Sequence, residues 1–175
     1  MTFSTLASYF EKLEQTSSRL ALIDILSDLL KRSSKDEIEK IVYLTQGRIA
    51  PFFEPTEIGM AEKTVASAIA TSLNIKREDV LKSYSKLGDM GLAMQSLKSK
   101  IIHSASSGQN SKITVGEVFE ILKTIAKTSG EGTVEKRQTL LSDLLKKMDS
   151  LSAKFLVRIP LGNLRLGIGD PTILD

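Results

Sequence analysis

The sequence predicts an all-α fold of about nine or ten helices, and three observations carry that expectation. Apolar residues recur at steps of three and four, hydroxyl and carboxylate residues pair where helices should begin, and no segment alternates well enough to make a strand. The composition agrees. Of 175 residues 41% are hydrophobic but only 5% aromatic, so the core must consist mostly of Leu, Ile, Val and Ala.

The elements follow in order. Phe3, Leu6, Phe10 and Leu13 mark a first helix face, Leu22, Ile25, Leu26, Leu29 and Leu30 a second, and Ile38, Ile41, Val42 and Thr45 a third. Ser34 with Glu37 fits a capping box, in which the hydroxyl accepts an amide of the first turn and the carboxylate returns to the cap. Residues 47–60, GRIAPFFEPTEIGM, hold two prolines and two glycines and predict an ordered, irregular connection, with Phe52 and Phe53 tethering it to the core. Residues 104–112, SASSGQNSK, predict an exposed loop between two halves, and His103 before it should be exposed. Thr114 with Glu117 is a second capping box, opening the face Val118, Ile121, Leu122 and Ile125. Asp170 before Pro171 predicts an N-cap with proline at the first helical position.

The chain resembles itself. At an offset of 115, ILSDLLKR (25–32) falls on LLSDLLKK (140–147), Gly47 on Gly162 and Ile49 on Leu164. At an offset of 108, EIGMAEKTV (57–65) falls on RLGIGDPTI (165–173). Two related, pseudo-symmetric halves are therefore expected, approximately 1–100 and 113–175, within a single domain spanning 1–175. Each copy reads helix, glycine, irregular link, second glycine, helix. Such glycines either terminate helices or let a backbone approach a ligand closely, and a helix start attracts anions. The sequence leaves both readings open. The same holds for Ser129-Gly130-Glu131-Gly132-Thr133, followed by Lys136 and Arg137: a phosphate cradle or a plain interhelical loop, without Walker A spacing.

Composition excludes several activities. Without cysteine there is no disulfide framework, thiolate zinc site or cysteine nucleophile, and one His leaves little for a multi-His metal centre or a Ser-His-Asp triad. No apolar run approaches the ~18 residues that span a bilayer, so no membrane partner is expected and a cytoplasmic location is. The net charge of +3 is uneven. Met1 to Met94 carries 12 basic and 13 acidic residues, whereas Gln95 to Gly167 carries 12 basic and 6 acidic. A basic second half suggests a polyanionic partner, or alternatively a helical repeat scaffold that meets an acidic protein.

The ordered set ASYFEKLEQTSSRLALIDILSDLLK, YLTQGRIAPFFEPTEIGMAEK, KLGDMGLA, TSGEGTVEKRQTLLSDLL and AKFLVRIPLGNLRLGIG resembles the N-terminal DNA-binding domain of ATP-dependent DNA ligases of the archaeal and eukaryotic type, over essentially the whole chain. The resemblance implies an all-helical, two-part domain lying across the minor groove of nicked double-stranded DNA. It implies DNA contacts by Gly162, Arg165 and Gly167, by Ser129, Gly130, Thr133, Lys136 and Arg137, and in the first half by Gly47, Arg48 and Gly59. Asn163 departs from the arginine common in relatives, so that cationic contact would be absent or replaced by a neutral hydrogen bond. Gly88, Asp89 and Gly91 match a family marker, read here as a helix cap.

The K-x-D-G motif that carries the adenylated lysine is absent. The expectation is therefore a non-catalytic, substrate-gripping fragment of a larger enzyme, a monomer without cofactor, nucleoid-associated if archaeal. ATP and Mg²⁺ would belong to the full-length ligase. The resemblance also raises a sliding clamp as a partner, with Met94-Gln95-Ser96-Leu97 at the corresponding position although the usual aromatic anchors are missing. Arg and Lys would neutralise phosphates without reading bases, which suits an enzyme that seals nicks at any sequence.

Overall fold

The computed structural model describes residues 1–104 and 112–174, with the side chains of 102–104 excepted. Ten helices are present among these residues: α1 (Phe3–Glu14), α2 (Arg19–Lys31), α3 (Lys35–Thr45), α4 (Glu62–Leu73), α5 (Arg77–Leu87), α6 (Met90–Ser104), α7 (Val115–Lys127), α8 (Thr133–Lys146), α9 (Ser150–Arg158) and α10 (Asp170–Leu174). The fold is all-α. The side chain of His103 and most of the expected 104–112 loop lie outside the described residues.

The helices begin where local chemistry allows. The Glu37 carboxylate accepts from the Ser34 amide (3.3 Å) and hydroxyl (2.9 Å), and Glu117 does the same for Thr114 (2.8 and 2.7 Å). Both capping boxes are formed. Asp89 caps α6 by accepting the Leu92 amide at 2.8 Å. Asp170 does not cap α10. The Gly169 carbonyl accepts the amides of Thr172 (3.0 Å) and Ile173 (3.3 Å), so Gly169 takes the cap position and Asp170 falls in the first turn with its carboxylate free for a tertiary partner.

Helix faces read from the sequence become the core. Phe3, Leu6, Phe10 and Leu13 of α1 are buried, as are Val118, Leu122 and Ile125 of α7. Each such side chain contributes roughly 1.5–3 kcal/mol when fully removed from water. Phe10 of α1 meets Phe155 of α9 edge-on at 5.6 Å, and Tyr43 of α3 stacks near Phe119 of α7 at 6.5 Å. The packed pairs include α1·α2, α7·α8, α1·α9, α3·α7, α4·α8 and α2·α10. Exchanging α1 to α4 for α7 to α10 carries every one of these pairs onto another. The contact at the centre exchanges with itself: Thr2 bridges Thr114, the Phe3 amide donates to Ile113 O (2.9 Å) and the Val115 amide to Met1 O (3.1 Å). α5 and α6 stand outside this scheme, and α6 lies along α9.

That α6·α9 contact explains the family-marker glycine. A Cβ on Gly91 would lie 2.5 Å from the Lys154 carbonyl and 2.8 Å from Arg158 Nε, so only glycine lets the helices approach this closely. Beneath it, Lys154 and Arg158 are buried and share Glu14: each donates to it at 2.5 Å, while Arg158 Nε also reaches Asp89 at 3.1 Å. Burial opposes ionisation of Glu14, but the hydrogen bonds from Lys154 and Arg158 outweigh it and hold the carboxyl below its usual range.

Candidate nucleic-acid interface

Two turns of the same construction follow α3 and α9. After α3 the Gly47 amide donates to Leu44 O (2.9 Å) and the Arg48 amide to Tyr43 O (2.8 Å). After α9 the Gly162 amide donates to Ile159 O (3.0 Å) and the Asn163 amide to Arg158 O (2.9 Å). Gly47 has φ +71° and Gly162 +68°, so both are the left-handed residue of a Schellman cap. Capping accounts for these glycines. A second glycine follows in each link, Gly59 at φ +36° and Gly167 at φ +70°.

The turns differ in what they do with positive charge. Arg48 Nη2 is 2.8 Å from Asp170 Oδ1, and the same oxygen accepts from Gln46 Nε2 at 2.6 Å. The sequence match pairs Arg48 with neutral Asn163. In the second turn the cation comes two residues later, at Arg165, which has φ +49° and is exposed between the buried Leu164 and Leu166. Its one described hydrogen bond is a long one, 3.5 Å to Asn163 Oδ1. The hydrogen bond that Tyr84 donates to Glu62 (2.7 Å) and burial push its phenol up, while the nearby Arg165 charge pulls the other way.

The turn before α8 completes the surface. Gly130 (φ +90°) and Gly132 (φ +71°) shape it, the Thr133 hydroxyl donates to Gly130 O, and Ser129 and Lys136 are exposed. A Cβ on Gly59, Gly130, Gly132, Gly162 or Gly167 would meet nothing within 4 Å. Open space therefore lies beside the backbone at these five glycines, which fall on three segments. The 58–60 segment joins the turns, since the Met60 amide donates to Pro160 O (3.0 Å) while the carbonyls of Ile58 and Gly59 face Arg137. Gly47, Arg48, Gly59 and Gly162 share one groove of about 470 Å³.

A profile described as "DNA ligase N terminus" matches residues 2–175. The chain belongs to that family. It is 44% identical to a DNA ligase of Sulfolobus acidocaldarius, 43% to a probable DNA ligase of Dictyoglomus turgidum and 43% to a DNA ligase of Saccharolobus solfataricus. All of the chain is matched in each case, but it spans only 30%, 29% and 30% of those proteins' lengths.

Several residues of this ligase-family domain take places that the sequence did not indicate. Arg137 is half-buried and turns its guanidinium to backbone carbonyls. Its Nη1 donates to Ile58 O (3.4 Å) and Gly59 O (3.3 Å), and its Nη2 to Ala126 O and Thr128 O (3.3 Å each). Phe52 and Phe53 do not tether their link; they are 86% and 85% exposed on a turn closed by the Glu54 amide on Pro51 O (3.0 Å). Met94–Leu97 lies inside α6, with Met94 fully buried. The basic surplus of the second half is also partly internal. Lys98, Lys154 and Arg158 are buried, Lys98 donating to Leu145 O at the end of α8 (2.6 Å), and two of the three are neutralised by first-half carboxylates.

Among the described residues, no group of three or more His, Asp or Glu is arranged to hold a metal ion, and no helix is long and apolar enough to cross a membrane.

Proposed function

We propose that this domain grips duplex DNA along the minor groove, without sequence preference, and presents nicked DNA to a ligase's joining centre. The observation that carries this reading is the exposed pair Lys136 and Arg165 beside turns whose glycines leave the backbone bare. Phosphate neutralisation by two such cations releases counterions whatever the base sequence, and bare backbone suits close approach to a groove whose base edges are nearly uninformative. The packing pairs that exchange between α1–α4 and α7–α10 support an internal duplication, so that two similar turns would meet two strands of one duplex. ATP and Mg²⁺ would serve the adenylation chemistry of the complete ligase, since this sequence has no K-x-D-G lysine to accept AMP.

Titration of labelled nicked duplex tests the reading. The chain should bind with little sequence preference, with log K falling linearly against log salt. Lys136→Ala combined with Arg165→Ala should reduce that slope by about 1.8, equivalent to two phosphate contacts, with no change in melting temperature. Absence of binding to nicked or intact duplex at low salt would refute it.

A further inference from the structure

Arg137 carries an assignment that neither its sequence position nor the family suggests. Its guanidinium is divided between the two halves of the molecule. One terminal nitrogen faces the carbonyls of Ile58 and Gly59, in the link that leads to α4; the other faces the carbonyls of Ala126 and Thr128, at the end of α7 and the turn before α8. Its Nε is buried without a hydrogen-bond partner among the described residues, while the residue as a whole is half-buried. Among the described residues its partners are carbonyls only, and four long contacts of 3.3–3.4 Å need the planar fork that Arg has and Lys lacks.

We propose that Arg137 is a positioning residue: it ties the Ile58–Gly59 link to the α7–α8 turn, so that the glycine turns of both halves meet DNA as one surface. Lys136, its neighbour on α8, points to solvent instead. The two consecutive cations then have separate roles, one reaching outward to phosphate and one inward to the backbone. The coupling to DNA rests on the proposed function above; the strap itself does not.

The experiment compares the 175-residue chain with Arg137→Lys, Arg137→Met and Lys136→Ala, using hydrogen exchange of the free proteins and salt-dependent titration of nicked duplex. Both Arg137 variants should speed exchange of the 57–60 amides and weaken binding by roughly tenfold, the size of a typical coupling between sites, while leaving the salt slope unchanged. Lys136→Ala should lower the slope by about 0.9 and leave exchange at 57–60 as it is. Wild-type affinity in Arg137→Lys, or a slope lowered by about 0.9 in Arg137→Met, would make Arg137 a phosphate contact and overturn the assignment. Unchanged exchange at 57–60 would overturn it equally. If Arg137→Met does not fold, Arg137→Lys supplies the same readouts. If the wild type binds no DNA, the functional reading fails while exchange still decides the strap.

Discussion

The turn at Gly47 and the turn at Gly162 share one backbone and differ in electrostatics. Both are Schellman caps with nearly equal positive φ, both lead through an irregular link to a second positive-φ glycine, and both precede a helix. In the first, the cation sits immediately after the glycine and is pinned to Asp170; in the second, that position is Asn163 and the cation moves two residues on, into solvent. A cation beside a glycine turn in the sequence is thus not yet a cation offered to a ligand. What decides is whether the opposite half supplies a carboxylate.

The largest test removes the foundation of the second turn. Glu14→Ala would leave Lys154 and Arg158 buried, Lys154 with no carboxylate and Arg158 with Asp89 alone. Loss of such a partner should cost about 3 kcal/mol in chemical denaturation, and the Gly162 turn, which hangs from the Arg158 carbonyl, should loosen before the Gly47 turn does. Acid should act in the same direction. Because the folded-state pKa of Glu14 lies below its unfolded value, its contribution is complete above about pH 4.3 and fades as pH falls through the folded pKa. Denaturation midpoints measured from pH 6 to pH 3 should fall for the wild type and stay flatter for Glu14→Ala.

A smaller effect would check the equality of the two backbones. Gly47→Ala and Gly162→Ala should each cost about 1 kcal/mol, because both force a Cβ into left-handed conformation, and neither meets a clash: the nearest atom to a Cβ at Gly47 is Leu164 Cβ at 3.5 Å. Unequal losses would show that the caps are not equivalent.

The smallest change in stability should come from Asp170→Asn. The Asp170 carboxylate of that ion pair is exposed and Arg48 half-buried, so the pair is worth at most about 1 kcal/mol and melting should hardly move. The difference between the turns should narrow, since Arg48 would lose its counter-charge while keeping its amide partner Gln46 (2.8 Å). On the proposed function, low-salt affinity for duplex should rise several-fold and the salt slope should steepen by about 0.9.

The sequence by itself determined the all-helical class, the two capping boxes and the matched glycines, though not the cap of α10, which fell to Gly169 and not Asp170. These depend on contacts within four or five residues, so Ser34 with Glu37, Thr114 with Glu117, and the Gly47 and Gly162 offsets could be read directly. Tertiary structure alone decided which charges are available. Arg48 meets an acid 122 positions away, Lys154 and Arg158 draw on Glu14 across 140 and 144, and Arg137 finds its carbonyls both nearby and 78 to 79 residues back. No local pattern encodes such distances. A side chain's charge is written in the sequence, but its partner is chosen by packing, and an exposed Arg165 beside an Arg137 turned to backbone carbonyls is the outcome.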